Sequence, residues 1–313
     1  MKARSTSRAL AAATAALLTL GGVAACSDHG GGGTDPDRVD VVVAFYPLQF
    51  LAEQIGGDAV RITNLARPGA EPHDLELQPR QVGQIVDAEL IVYLAGFQPA
   101  VDEAVAQNGG DRAFDVATVQ PLLDAGAGGH QHEGEAGHDG ETGGRDPHVW
   151  LDPTRLATIG DRLAERLGTA DPERAAEFTA RAAALRTDLT KLDADYVQGL
   201  RTCQRREIVT SHTAFGYLAE RYQLEQVGIT GLSPDGEPSP QRLAEVAREA
   251  RSHQATTIFF ETLVSPKVAE TVAREVGAKT AVLDPIEGAP ADGDYRSAMR
   301  TNLQTLRTAL GCS

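Results

Sequence analysis

Val39 to Phe45 is a nearly unbroken run of β-branched and apolar residues. A strand of that kind, without polar alternation, has to be buried on both faces, and a parallel sheet covered by helices on each side does this. Val60 to Leu65 and Glu89 to Leu94 repeat the character in the first half, the latter after a helix expected from Pro79. Glu207 to Thr210, Thr256 to Phe260 and Thr280 to Leu283 repeat it in the second half. Helices are expected between them over Gln241 to Arg251 and Pro266 to Val276. This alternation predicts an α/β protein of two lobes, each a parallel sheet flanked by helices.

A long helix is expected between the halves. Asp171-Pro172-Glu173 supplies an N-cap, a first-turn proline and an early acidic residue. Phe178, Ala182, Leu185, Leu189, Leu192, Tyr196 and Leu200 then form one apolar stripe. About 30 residues at roughly 1.5 Å each make a rod of about 45 Å, suited to joining two lobes stiffly; a long helix inside one domain has the same periodicity. The expected organisation is an N-terminal lobe over residues 39–155, linking helices over 156–202 and a C-terminal lobe over 203–313.

The chain begins with an export signal. Lys2, Arg4 and Arg8 precede an apolar stretch from Ala9 to Leu20, and residues 1–25 close on Val23-Ala24-Ala25 before Cys26. The closing residues resemble a bacterial lipobox, which implies a lipid on Cys26 and anchorage to the outer face of the bacterial cytoplasmic membrane. An ordinarily cleaved signal with an incidental thiol is the alternative. Residues 26–38, with Gly30-Gly31-Gly32-Gly33, read as a flexible tether. Hydrophobic residues make up 42% and charged residues 23% of the 313, so the body folds in water. Loss of three basic residues with the signal takes the net charge from -15 to -18, a field that disfavours nucleic acid and suits a cation. With Cys26 lipidated, Cys203 and Cys312 remain as an even pair in an exported protein and read as a disulfide; two free thiols are the alternative.

Residues 125–145 combine eight glycines with His130, His132, His138 and four acidic side chains. No core can form from them, and they read as a loop for transient metal capture rather than as a mere solubilising spacer. Three other histidines stand in sharper contexts. His73 lies in Glu71-Pro72-His73-Asp74 beyond the expected strand from Val60, and His212 lies in Ser211-His212-Thr213-Ala214-Phe215-Gly216-Tyr217 beyond the one from Glu207. His148 lies in the turn-rich Asp146-Pro147-His148-Val149-Trp150-Leu151-Asp152-Pro153, and Asp284 ends the strand Ala281-Val282-Leu283. Ligands in α/β sheets commonly bind beyond the carboxyl ends of strands. Singly, each residue is an ordinary surface or turn residue; jointly, three imidazoles and a carboxylate make a four-coordinate site for a borderline cation such as zinc. No Gly-x-Ser-x-Gly elbow, P-loop or Gly-x-Gly-x-x-Gly turn competes with that reading. His253, Phe259 and Trp150 read as packing or surface residues.

These boxes, with Phe260-Glu261 and Leu283-Asp284-Pro285, resemble the metal-binding lipoproteins of ATP-binding-cassette importers, the zinc and manganese cluster, over about Val39 to Cys312. The resemblance implies a monomeric two-lobed solute-binding protein, not an enzyme, with one long rigid helix between the lobes. It further implies one metal ion in the cleft and a membrane permease as partner. Its ligands would be His73, His148, His212 and Asp284, with Glu71 and Glu261 as substitutes for the fourth. His212 stands where manganese-type members usually carry Glu, which with the His-rich loop favours Zn2+ over Mn2+. An adhesin-type lipoprotein with a structural metal is one alternative. A zinc hydrolase using Glu261 as general base is another.

Overall fold

The computed structural model describes residues 37–125 and 144–313. The signal segment, Cys26, most of the tether and His130, His132 and His138 lie outside the described residues. The first sheet has the order β2-β1-β3-β4, all parallel, with β1 over Val39–Val43, β2 over Val60–Asn64, β3 over Leu90–Tyr93 and β4 over Ala113–Asp115. β1 is central, as its apolar run requires. Its single polar residue, Asp40, is held by the Arg61 guanidinium of β2 and by a backbone bond to Glu89.

The second sheet repeats the plan in the order β6-β5-β7-β8, with β5 over Glu207–Thr210, β6 over Glu225–Gly228, β7 over Thr257–Phe260 and β8 over Lys279–Val282. In each sheet the chain leaves the first strand to one side, then crosses to pair with its other edge. The loops beyond the carboxyl ends of the central strands therefore diverge and open a crevice there. Helices α1 (Tyr46–Gly56), α2 (Pro79–Asp87) and α3 (Pro99–Asn108) connect the first sheet. α6 (Gly216–Tyr222), α7 (Pro240–Ser252) and α8 (Lys267–Val276) connect the second. The expected α/β architecture of two parallel sheets flanked by helices and joined by one long helix is the one observed.

That helix forms a hairpin with α4 (Pro153–Ala170) and runs as α5 over Ala175–Leu200. All seven residues of the apolar stripe are buried. At 26 residues the α-helix is about 39 Å long rather than 45. Residues Pro172–Arg174 take a tighter 3-10 turn, in which the Asp171 carboxylate accepts the Arg174 N–H at 3.3 Å. α5 packs on α1 of the first half and on α9 (Tyr295–Leu310) of the second, where the Tyr196 hydroxyl donates to the Met299 carbonyl at 2.7 Å. A rod braced at both ends resists bending between the sheets. No helix among the described residues is long and apolar enough to cross a membrane.

Cys203 and Cys312 form the expected disulfide across a sequence separation of 109, tying the end of α9 to the chain just before β5. Closing a loop of that length contributes at most roughly 4 to 5 kcal/mol by restricting the unfolded chain. A Cys203→Ser, Cys312→Ser double variant is therefore expected to unfold at lower urea concentration, with chelator present to remove metal effects. An unchanged midpoint would show that the bridge adds nothing to stability.

Candidate metal centre

Each candidate histidine sits on a loop that its neighbours hold from behind. His73 follows the β2 carboxyl end; the Glu71 carboxylate accepts its backbone N–H at 3.1 and 3.0 Å, and the Gln98 amide donates to the Pro72 carbonyl at 3.0 Å. His148 begins the 3-10 turn Val149–Leu151 that leads into α4. One Asp146 oxygen accepts both its backbone N–H, at 2.9 Å, and its ring Nδ1, at 2.8 Å. His212 follows β5. Its Nδ1 lies 2.8 Å from Glu261 Oε1, which also accepts the Ser211 hydroxyl at 2.6 Å. Gly228 on β6 leaves room for Thr213 beside it, since a Cβ there would meet Thr213 Oγ1 at 2.2 Å.

The structure brings His73, His148 and His212 together, and the carboxylate it puts with them is that of Glu287, not Asp284. Asp284 is turned away: its Oδ1 accepts the Ile286 N–H at 2.7 Å and its Oδ2 accepts the Thr262 hydroxyl at 3.3 Å. The Asn302 side chain of α9 brackets it further, accepting the Asp284 N–H at 3.0 Å and donating to its carbonyl at 2.6 Å. Pro285 and Ile286, the latter at φ 59°, then swing the chain so that Glu287 enters the cleft. A β-branched residue in the left-handed region is strained by about 1 to 3 kcal/mol, and here Asp284 and burial of the Ile286 side chain hold it. The Trp150 indole adds a 2.7 Å bond to the Pro285 carbonyl, so the loops carrying His148 and Glu287 are pinned to one another. The expected substitutes also fall elsewhere: Glu261 stands behind His212, and Glu71 comes no nearer to His73 Nε2 than 4.0 Å. No local pattern in the sequence marks Glu287, which lies three residues past Asp284, across a proline.

Glu287 Oε1 lies 3.3 Å from His73 Nε2, 3.2 Å from His148 Nε2 and 3.3 Å from His212 Nε2. His148 and His212 Nε2 are 3.4 Å apart. A tetrahedron with bonds of about 2.0 to 2.1 Å has edges of about 3.3 Å, so four of the six separations among these atoms match those of a tetrahedral zinc shell, and all four atoms lie within 4.8 Å of one another. Asp146 and Glu261 accept from the Nδ1 atoms of His148 and His212, so the Nε2 atom of each ring is the one that faces inward. Phe97 packs edge-on to His73 and Trp150 beside His148, making a dry aromatic wall. His148, His212 and Glu287 are 0 to 1% exposed, whereas His73 is 8% exposed and lines a cleft of about 660 Å³ with Asp74, Arg145, Leu232 and Ser233. Access to the cluster is therefore from the His73 side.

Burial opposes the charge of Glu287, but hydrogen bonds from His148, His212 and His73 outweigh it and hold the carboxyl well below its usual range. Burial likewise disfavours a charged His212, yet its bonds to Glu261 and Glu287 push it up to about 10. His148 is raised for the same reason by Asp146 and Glu287, against its own burial. Burial dominates at His73 and lowers it. Without a metal, protons on His148 and His212 compensate the buried carboxylate.

The chain thus combines a two-lobed α/β fold with a buried cluster of side chains able to hold a metal ion. Residues 41–309 match the family described as zinc-uptake complex component A, periplasmic (ZnuA), and the chain belongs to this family. It is 36% identical over 286 residues to the zinc-binding protein AdcA of Streptococcus pyogenes, covering 86% of this chain and 56% of that one. The chain thus spans about half the length of the AdcA proteins it matches. It is 34% identical over 300 residues to the high-affinity zinc uptake system protein ZnuA of Bacillus subtilis, covering 92% and 93% of the two chains. Among solved structures, laminin-binding protein Lmb of Streptococcus agalactiae, described as a bifunctional protein with adhesin and metal transporting activity, superposes with a TM-score of 0.76. That match is 30% identical and covers 87% of this chain and 99% of Lmb.

The raised His212 makes the metal-free protein sensitive to alkali. With its value near 10 in the fold and 6.5 when unfolded, protonated His212 contributes stability fully below about pH 6.5 and loses it as pH rises through about 10. In chelator, thermal unfolding between pH 6.5 and 10 should show a decline that His212→Gln flattens; equal slopes in the two proteins would contradict the assignment.

Proposed function

We propose that this chain is an extracytoplasmic zinc-binding protein that captures Zn2+ in its cleft and hands it to the membrane permease of an ATP-binding-cassette importer. Its four ligands are His73, His148, His212 and Glu287. The observation that carries the reading is the convergence of three imidazoles on one buried carboxylate, with the Glu287 oxygen 3.2 to 3.3 Å from each ring nitrogen, near the edge length of a tetrahedral zinc shell. Three imidazoles with one carboxylate favour zinc, whereas manganese suits oxygen-rich shells. The zinc-binding names of the AdcA and ZnuA relatives support the same cargo.

The protein binds and does not catalyse. Glu287 takes the position that a catalytic zinc keeps for water, and Glu261, the one candidate base, is bonded to the rear of the His212 ring. The mature chain is tethered through a lipid on Cys26 and acts as a monomer. Its His130, His132 and His138 raise the local zinc concentration. The ends of their loop support this role, since the Ala125 N–H donates to the Gly144 carbonyl at 2.9 Å and Gly144 and Arg145 line the cleft on which His73 opens.

Zinc calorimetry on the soluble form beginning at Ser27, with manganese as competitor, tests the assignment. Glu287→Gln should weaken the tight site by at least about 100-fold, and Glu261→Gln by about 10- to 100-fold through loss of the bond that orients His212. Asp284→Asn should cost less than tenfold. Tight binding that survives Glu287→Gln but not Asp284→Asn would reverse the fourth ligand, and preference for manganese would overturn the cargo. In bacteria, Cys26→Ser should shift the chain from the membrane fraction to the soluble one.

A further inference from the structure

The far end of the second sheet holds another group of ligating side chains. Glu207 opens β5 and Glu225 opens β6, and the two are direct register partners on neighbouring parallel strands. His253 stands just past α7 and before β7, at the same end of the sheet. One ligand atom from each of the three lies within 4.8 Å of the other two, and His253 Nε2 is 3.2 Å from Glu207 Oε2. We propose that Glu207, Glu225 and His253 form a second, weaker divalent-cation site, with Zn2+ as the ion best suited to one imidazole and two carboxylates.

Glu207 is the decisive residue. Its side chain is 2% exposed, yet neither carboxylate oxygen receives a hydrogen bond among the described residues. The contact from His253 is an ion-pair approach rather than a hydrogen bond, and a buried carboxylate without hydrogen bonds is costly unless it is paired or bound to metal. Arg206, the adjacent arginine, is spent on the backbone carbonyls of Leu200, Tyr222 and Gln223. Burial first, then the charges of Glu249 and Glu225, push Glu207 up to about 7. A divalent cation would satisfy the Glu207 oxygens and relieve the repulsion between register partners. The His253–Glu207 distance already matches a zinc-shell edge, and a rotation of the exposed Glu225 side chain closes the others. Three protein ligands and an open side predict weaker binding than in the cleft. The site lies roughly 15 Å from His212, a distance set by the length of β5, and does not depend on which metal the cleft prefers.

The test is zinc calorimetry on the chain beginning at Ser27, in a His130→Ala, His132→Ala, His138→Ala background that removes loop binding. One zinc equivalent beyond the cleft site is expected, weakened at least tenfold by His253→Gln and by Glu207→Gln. His253 is partly exposed, so its variant remains informative if Glu207→Gln fails to fold, which urea unfolding in chelator reports. Loss of the cleft equivalent through His73→Ala and His212→Ala should leave this component in place. Absence of a further equivalent in the loop-substituted background, or one indifferent to His253→Gln, would overturn the site.

Discussion

A carboxylate with no solvent contact, surrounded by three imidazoles, sets the terms for the rest of this molecule. Glu287 cannot be buried as an isolated charge, because desolvation alone would cost several kcal/mol. Its compensation comes from His73, His148 and His212, and the last two rings are held in turn by Asp146 and Glu261. Either shared protons or one divalent cation neutralise the group. A cation that replaces the protons meets donors already spaced for it, so binding needs little rearrangement of the shell.

That arrangement demands stiffness from elements far from the cleft. The histidines and Glu287 come from loops on both sheets, and errors of an ångström between sheets would break a shell whose edges are near 3.3 Å. α5, buried along its whole stripe and seated on α1 and α9, holds the two sheets at a fixed spacing. The Trp150–Pro285 bond, the Tyr295–Trp150 bond at 2.5 Å and the Asn302 bracket on Asp284 carry that stiffness into the site. His73, the member of the cluster with the most solvent contact, is the natural point of entry.

Much of this is legible along the chain. The apolar, β-branched runs mark β1, β2, β3, β5, β7 and β8 to within a residue or two; in the inner strands β1, β3, β5 and β7 the reason is burial between neighbours and helices, whereas β8 is a largely exposed edge strand that shares the composition without the burial. β4 and β6 carry no such mark: Ala113–Asp115 and Glu225–Gly228 are short, and their few residues include the polar Asp115, Glu225 and Gln226. The helix stripe reads residue by residue, while its first turn tightens into 3-10 geometry that periodicity does not report. His73, His148 and His212 stand out by their strand-end or turn settings and by resemblance. Glu261 stands out for its chemistry, but its place behind His212 depends on β5 and β7 lying side by side.

The sequence by itself determined the α/β plan, the long brace, the three imidazoles and the pairing of two cysteines, since these follow from local patterns of burial, capping and residue chemistry. Tertiary structure alone decided the fourth member of the cluster. Whether Asp284 or Glu287 faces the histidines turns on a left-handed Ile286, an Asn302 on another helix and a Trp150 far away in the chain. It likewise decided that Glu207, Glu225 and His253 meet, through strand order and register. Coordination requires atoms placed to within tenths of an ångström, and such placement is a property of packed neighbours rather than of any local run of residues.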